Sequence, residues 1–191
     1  MPTVPPMPTL PPTPLQPPAP RADCPWCGSA LLAGRRRMRA LARRMSRLLE
    51  EPESWLDAGT GDAAFPDAAR AFFPYTSFDG VDPTPRVLWA RAAERVEEAH
   101  VGHLTDTGLT DRYDVVTLLH HLEHSPDPRS ELTAALRALR PGGHLVLRLH
   151  TGNSPFSAAD VHTELQDRGC TLLTRRPNGW WPLQRIVARK N

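Results

Sequence analysis

Three features of the sequence predict an α/β fold on a mostly parallel sheet with helices on both faces. After Pro52, short apolar runs alternate with stretches of helical periodicity, the pattern of strand–helix crossovers. The run Tyr113-Asp-Val-Val-Thr-Leu-Leu119 is apolar at both alternating sets of positions, as a central parallel strand must be. Between one short apolar run and the next helix lies Gly59-Thr-Gly61, a turn that lets backbone approach a ligand closely.

The elements follow in order. Ten of the 22 prolines lie in the first 20 residues, so residues 1–21 are expected to form a disordered, solvated tail. A Cys24-Pro-Trp-Cys27 knuckle follows, and residues 35–50 read as a helix with Met38, Leu41, Met45, Leu48 and Leu49 on one stripe. Residues 22–52 thus form a knuckle and basic helix ahead of a main domain, 53–191. In that domain residues 54–58 read as a strand and 62–72 as a helix, with Pro66 tolerable only near its first turn. Residues 78–82 read as a second strand. A helix over 85–99 should turn Val87, Leu88, Ala92 and Val96 inward, and 100–104 should be a weak third strand.

After the strand 113–119, Asp127-Pro128 supplies a cap and a first-turn proline for a helix with Leu132, Ala135, Leu136 and Leu139 inward. Pro141-Gly142-Gly143 should end it before a fifth strand, 144–149. Ser157-Ala-Ala-Asp160 reads as a capping box opening a helix that closes at Gly169. Residues 171–174 and 184–188 read as a terminal hairpin.

Charge is unevenly spread. Residues 1–52 hold eight arginines against three acids, a balance of +5; the remainder holds 15 basic and 18 acidic residues, a balance of −3. An acidic main body argues against a general nucleic-acid surface. No apolar run reaches the length of a membrane span. Three cysteines do not make a disulfide framework, so a reducing cytoplasm is expected.

The turn carries the chemistry. Strand, glycine turn, helix, second strand and a closing acid, Asp82, occur in the order that suits a nucleoside cofactor in a Rossmann-like sheet. Asp82 is placed to accept hydrogen bonds from ribose hydroxyls. The plainer reading is a structural strand–helix turn. Ala63 stands where a dinucleotide site wants a third glycine, and Asp62 at the helix start would repel a pyrophosphate. Asp57 suits a cation, which favours S-adenosylmethionine over a nicotinamide dinucleotide.

Leu56-Asp-Ala-Gly-Thr-Gly61, Gly80-Val-Asp82, Tyr113 through His124, Pro126-Asp-Pro128 and Leu139-Arg-Pro-Gly-Gly-His144 resemble the successive motifs of class I S-adenosylmethionine-dependent methyltransferases. The resemblance covers about residues 54–150. It implies a seven-stranded sheet whose last strand is antiparallel, with Asp57, Gly59 and Gly61 at the methionine end of the cofactor and Asp82 on the ribose. It also implies that Leu119 and His120 lie beside the cofactor and face the substrate. Relatives hold the adenine amine with an acid or amide after the third strand; here His103 or Asp106 is available. Larger relatives carry a lid after the fifth strand, most of which is missing from residues 150–155.

His120-His121-Leu-Glu123-His124 admits three readings: loop scaffold, general base or divalent-metal site. Some O-methyltransferases of the superfamily use Glu-x-x-Glu-His for a metal, and His120-x-x-Glu123-His124 departs from it at the first position. Scaffold is favoured, with His120 or His121 as the candidate base and no metal assigned. Cys24 and Cys27 are half of a zinc ribbon with no second pair. The arginine helix reads as a solvated face, with an acidic or phosphorylated substrate as the functional option. Trp180-Trp181 reads as edge packing or one wall of an aromatic pocket.

The expected function is methyl transfer from S-adenosylmethionine to a small-molecule nucleophile. Alternatives are an inactive cofactor-binding relative serving as a partner subunit and, more weakly, a nucleic-acid methyltransferase.

Overall fold

The computed structural model describes residues 34–150, 156–173 and 183–191. The proline-rich tail, the cysteine knuckle, residues 151–155 and Trp180-Trp181 lie outside the described residues.

Among the described residues, seven strands form one sheet: β1 (Ser54–Ala58), β2 (Ser77–Asp82), β3 (Ala99–Val101), β4 (Tyr113–Leu119), β5 (Leu139–His150), β6 (Thr171–Leu172) and β7 (Leu183–Arg189). Their order is β3-β2-β1-β4-β5-β7-β6. β1 to β5 pair in parallel, and β7 runs antiparallel to both β5 and β6. The strand order reverses between β1 and β4. Such a switch point opens a crevice at the carboxyl ends of the strands, where ligands of open α/β sheets bind.

Alternation along the strands builds two cores. Trp55, Val115, Val146 and Val187 point to the face covered by α1 (Gly34–Met45) and α2 (Ala64–Ala69), where Leu41, Ala42, Met45, Phe65 and Phe73 meet them. Leu56, Val116, Leu145 and Ile186 point to the other face, under Leu132 and Ala135 of α4 (Pro128–Ala138) and Val161 and Leu165 of α5 (Ala158–Asp167). Trp55 is wholly buried, and its ring lies 5.1–5.6 Å from those of Phe65, Phe73 and Phe78.

The caps read from sequence are present. Asp127 accepts from Ser130 N–H at the start of α4, with Pro128 in the first turn, and Ser157 and Asp160 form a reciprocal capping box on α5. Pro66 falls in the first turn of α2.

Several boundaries differ from expectation, each for a local reason. α1 stops at Met45, and Leu48, placed on the apolar stripe, is 51% exposed beyond it. α2 spans six residues rather than 62–72, because Ala63 adopts a left-handed φ of 57° and starts the helix late. α3 (Arg86–Ala92) ends well short of Ala99: Glu94 is left-handed, and Arg95 N–H reaches back to Ala90 O, a Schellman stop made without glycine. A helix that short presents only Val87 and Ala90 inward, so Leu88 and Ala92 are exposed while Val96 is buried in the chain beyond. β3 ends at Val101 because Gly102 turns away at φ 141°, and Leu104 enters a 3₁₀ turn, Leu104–Asp106. Leu139 belongs to β5 rather than to α4, so Pro141-Gly142-Gly143 does not terminate the helix. Those glycines sit inside β5, next to a register shift opposite Tyr113 and Val115.

Truncating Trp55 tests the tighter core. Trp55→Ala is expected to cost about 3–5 kcal/mol in urea denaturation, and Trp55→Phe about 1–2 kcal/mol through the lost indole hydrogen bond to Thr117.

Candidate active site

The carboxyl ends of β1, β2 and β4 converge at the switch point. Asp57 on β1 stands in register with Thr117 on β4, and the Thr117 hydroxyl donates to Asp57 Oδ1 at 2.6 Å. Asp57 is 3% exposed, and burial, partly offset by the Thr117 bond, pushes its carboxyl up to about 6. A buried carboxylate at the mouth of a turn is a ready partner for a cation.

Beyond Asp57 the chain turns sharply. Gly59 and Gly61 have φ of 74° and 55°, the left-handed region where an L side chain is strained. Gly59 N–H donates to Val81 O on β2, and Gly61 N–H donates to Asp82 Oδ2 at 2.8 Å. The other Asp82 oxygen accepts from the backbone and hydroxyl of Thr84. Asp82 therefore ties the turn to the end of β2. A Cβ on Gly59 would lie 2.6 Å from His121 Nδ1, whereas one on Gly61 would meet nothing within 4 Å. The turn is packed on one side and open on the other.

The two adjacent histidines differ in environment. His120 takes a left-handed φ of 59° at the end of β4, keeps 30% of its side chain exposed and bonds Glu123 Oε1 through Nδ1 at 3.0 Å. Burial pushes the Glu123 carboxyl up, but the His120 hydrogen bond and neighbouring charge outweigh it and hold it below the usual range. His121 is buried under Gly59 with Nε2 3.1 Å from Glu131 Oε2. Leu119 is half-buried against the α1/α2 core and pairs with Arg148.

Asp57, Gly59, Gly61, Asp82 and His121 thus form one connected group. His103 and Asp106 stand apart from the turn. Asp106 is exposed and accepts from His103 N–H, and His103 Nδ1 lies 3.4 Å from Glu131. Three site residues escaped the sequence reading. Thr117 had a signal, being the polar residue amid the apolar run of β4. Glu131 also had one, since it shares the stripe of Ala134, Ala135 and Ala138, all buried. Thr84 had none. Among the described residues, no group of three or more His, Cys, Asp or Glu is arranged to hold a metal ion, and no helix is long and apolar enough to cross a membrane.

A sheet of this order with a ligand turn after β1 and an acid closing β2 defines a nucleoside-binding class I architecture. A family model described as a methyltransferase domain matches residues 32–189. The chain belongs to that family, the class I S-adenosylmethionine-dependent methyltransferases.

A ubiquinone biosynthesis O-methyltransferase from Alkalilimnicola ehrlichii is 34% identical over 96 residues, covering 48% of this chain and 39% of the relative. One from Serratia proteamaculans is 32% identical over 95 residues, covering 47% and 39%. The chain therefore matches about two fifths of the length of these curated relatives. Among solved structures, the N-methyltransferase NodS from Bradyrhizobium japonicum, in complex with S-adenosyl-L-homocysteine, aligns with a TM-score of 0.65 at 18% identity. The alignment covers 81% of this chain and 86% of NodS. That likeness establishes the fold.

The two glycines should respond differently. Gly61→Ala costs only the left-handed strain, about 1–2 kcal/mol. Gly59→Ala adds displacement of the His121 ring and should cost at least about 1 kcal/mol more, measured by urea denaturation of both variants.

Proposed function

We propose that this chain transfers a methyl group from S-adenosylmethionine to a small-molecule nucleophile. The observation that carries the reading is Asp57, a buried carboxylate beside a turn with open space at Gly61. A cationic amino group seated there compensates the charge that burial disfavours. A pyrophosphate would instead meet Asp57 and the exposed Asp62. Asp82 accepts from Gly61 on Oδ2 and twice from Thr84 on Oδ1, which leaves one Oδ2 lone pair for a ribose hydroxyl. These residues fit the cofactor.

We assign Asp57, Gly59 and Gly61 to its methionine end, Asp82 to the ribose, His103 or Asp106 to the adenine side and Leu119 to the adjoining wall. When bound, S-adenosylmethionine supplies an electrophilic methyl group. The chain's own part is to align the nucleophile and, where that nucleophile is neutral, to take its proton. Of the two candidate bases, His120 suits this role and His121 suits support of the turn. Glu123, held as a carboxylate, accepts His120 Nδ1–H and leaves Nε2 as the proton acceptor. His121 is enclosed between Gly59 and Glu131.

The O-methyltransferase activity of the curated relatives supports hydroxyl acceptors as the first to test. The acidic balance of residues 53–191 supports a small molecule over a nucleic acid. Cys170, buried and in no disulfide among the described residues, supports a reducing, cytoplasmic setting.

Calorimetry with S-adenosylhomocysteine tests the cofactor. Binding a cation favours ionised Asp57, so affinity should be constant from about pH 6 up to the pH at which the ligand's ammonium group deprotonates, and fall about tenfold per pH unit below about pH 6. Asp57→Asn should weaken binding and remove that pH dependence; absence of binding by the unaltered protein at pH 7.5 refutes the reading.

Transfer of a radiolabelled methyl group to a panel of phenols, catechols and amines tests the reaction. His120→Ala should lower turnover about 10²–10⁴-fold with S-adenosylhomocysteine affinity unchanged. Cofactor binding with no transfer to any acceptor would favour the inactive partner subunit.

A further inference from the structure

Glu131 is an anomaly of the core. It lies on α4 with 1% of its surface exposed, one residue before Leu132 and on the stripe that buries Ala134, Ala135 and Ala138. Burying a carboxylate is costly, and replacing a buried ion pair as a whole by hydrophobic residues commonly leaves a protein as stable or more so. Stability alone therefore does not account for it.

Its contacts point to a different role. Glu131 Oε2 meets His121 Nε2 at 3.1 Å, and Oε1 faces His103 Nδ1 at 3.4 Å. The first histidine follows β4 and the second follows β3, so one carboxylate from α4 reaches the loops of two strands on either side of β1 and β2 in the sheet order. A carboxylate can only accept hydrogen bonds. With Glu131 as a carboxylate, the bond between them is donated by His121 Nε2–H, and the other ring nitrogen, Nδ1, faces the turn. That Nδ1 is the atom lying 2.6 Å from where a Cβ on Gly59 would stand. Contact runs from α4 through Glu131 and His121 to the underside of the glycine turn, without passing through Asp57 or Asp82. Near a metal-binding imidazole, a carboxylate on the far nitrogen plays the same orienting part; here the imidazole supports backbone.

We propose that Glu131 is a positioning residue for the cofactor turn. It holds His121 in one tautomer and one ring orientation beneath Gly59. The turn after β1 is thereby set before a ligand arrives, which spares the ligand that ordering cost. The proposal rests on the reading above that an S-adenosyl ligand sits on this turn.

Three variants and two readouts test it. Glu131→Leu removes the acceptor, Glu131→Gln keeps an acceptor oxygen for His121 Nε2–H, and Glu131→Met repeats the apolar substitution should the leucine variant not fold. The apolar variants leave His121 without its carboxylate and should melt lower than the unaltered protein; at a temperature where each is folded, S-adenosylhomocysteine affinity should be at least tenfold weaker by calorimetry. Glu131→Gln should recover affinity to within about threefold. In ¹⁵N spectra of ligand-free protein, the His121 ring, assigned with His121→Asn, should show the Nε2–H tautomer in the unaltered and glutamine proteins. It should show a mixture in the apolar variants.

An apolar variant that binds as tightly as the unaltered protein overturns the proposal. So does an unchanged His121 tautomer in an apolar variant, or equal loss of affinity in the glutamine and apolar variants. If the unaltered protein itself does not bind S-adenosylhomocysteine, the cofactor reading fails, and the tautomer comparison still decides whether Glu131 governs His121.

Discussion

The pairing of β1 with β4 is the contact on which the rest of this molecule depends. Trp55 lies opposite Val115 and Asp57 opposite Thr117, all on the face covered by α1 and α2. The Thr117 hydroxyl accepts from the Trp55 indole and donates to Asp57, so one buried hydroxyl joins the largest core side chain to the candidate ligand carboxylate. Because the crossovers diverge at this pair, the carboxyl ends of β1 and β4 have no helix between them, and the crevice there follows from topology.

Around that crevice the backbone is held in costly conformations. Ala63 and His120, neither of them glycine, adopt left-handed φ of 57° and 59° on either side of the turn. Such conformations persist where the surroundings over-determine them. Ala63 is enclosed with Ala90 and Val96, and His120 is pinned by backbone and side chain, its N–H to Arg148 O and its ring to Glu123. A rigid sheet thus carries a site whose polar groups are oriented by neighbours from several elements, α4 among them.

Much of this was legible in advance. Strand positions, the caps of α4 and α5, the glycine turn and the acid ending β2 all follow from local patterns. What escaped was set by partners distant in sequence. Glu94 adopts a left-handed stop that no residue type announces, which shortens α3 and leaves Leu88 in solvent. Pro141-Gly142-Gly143 has the composition of a helix terminator, yet Gly142 N–H donates to Lys190 O and Lys190 N–H to Gly143 O, which keeps the segment in the sheet. His120 and His121 are indistinguishable as neighbouring letters; only the fold turns one toward Glu123 near the surface and encloses the other against Glu131.

Local patterning sufficed for the class of fold and the kind of ligand. Strand periodicity, two glycines and two acids at strand ends impose local geometry and charge that need no distant partner. The tertiary structure alone decided which polar side chains work together. The burial that pushes Asp57 up to about 6, the His121 ring beneath Gly59 and the reach of Glu131 to two loops arise from packing between segments far apart in the chain. Desolvation and contact of that kind exist only once the sheet has closed around them.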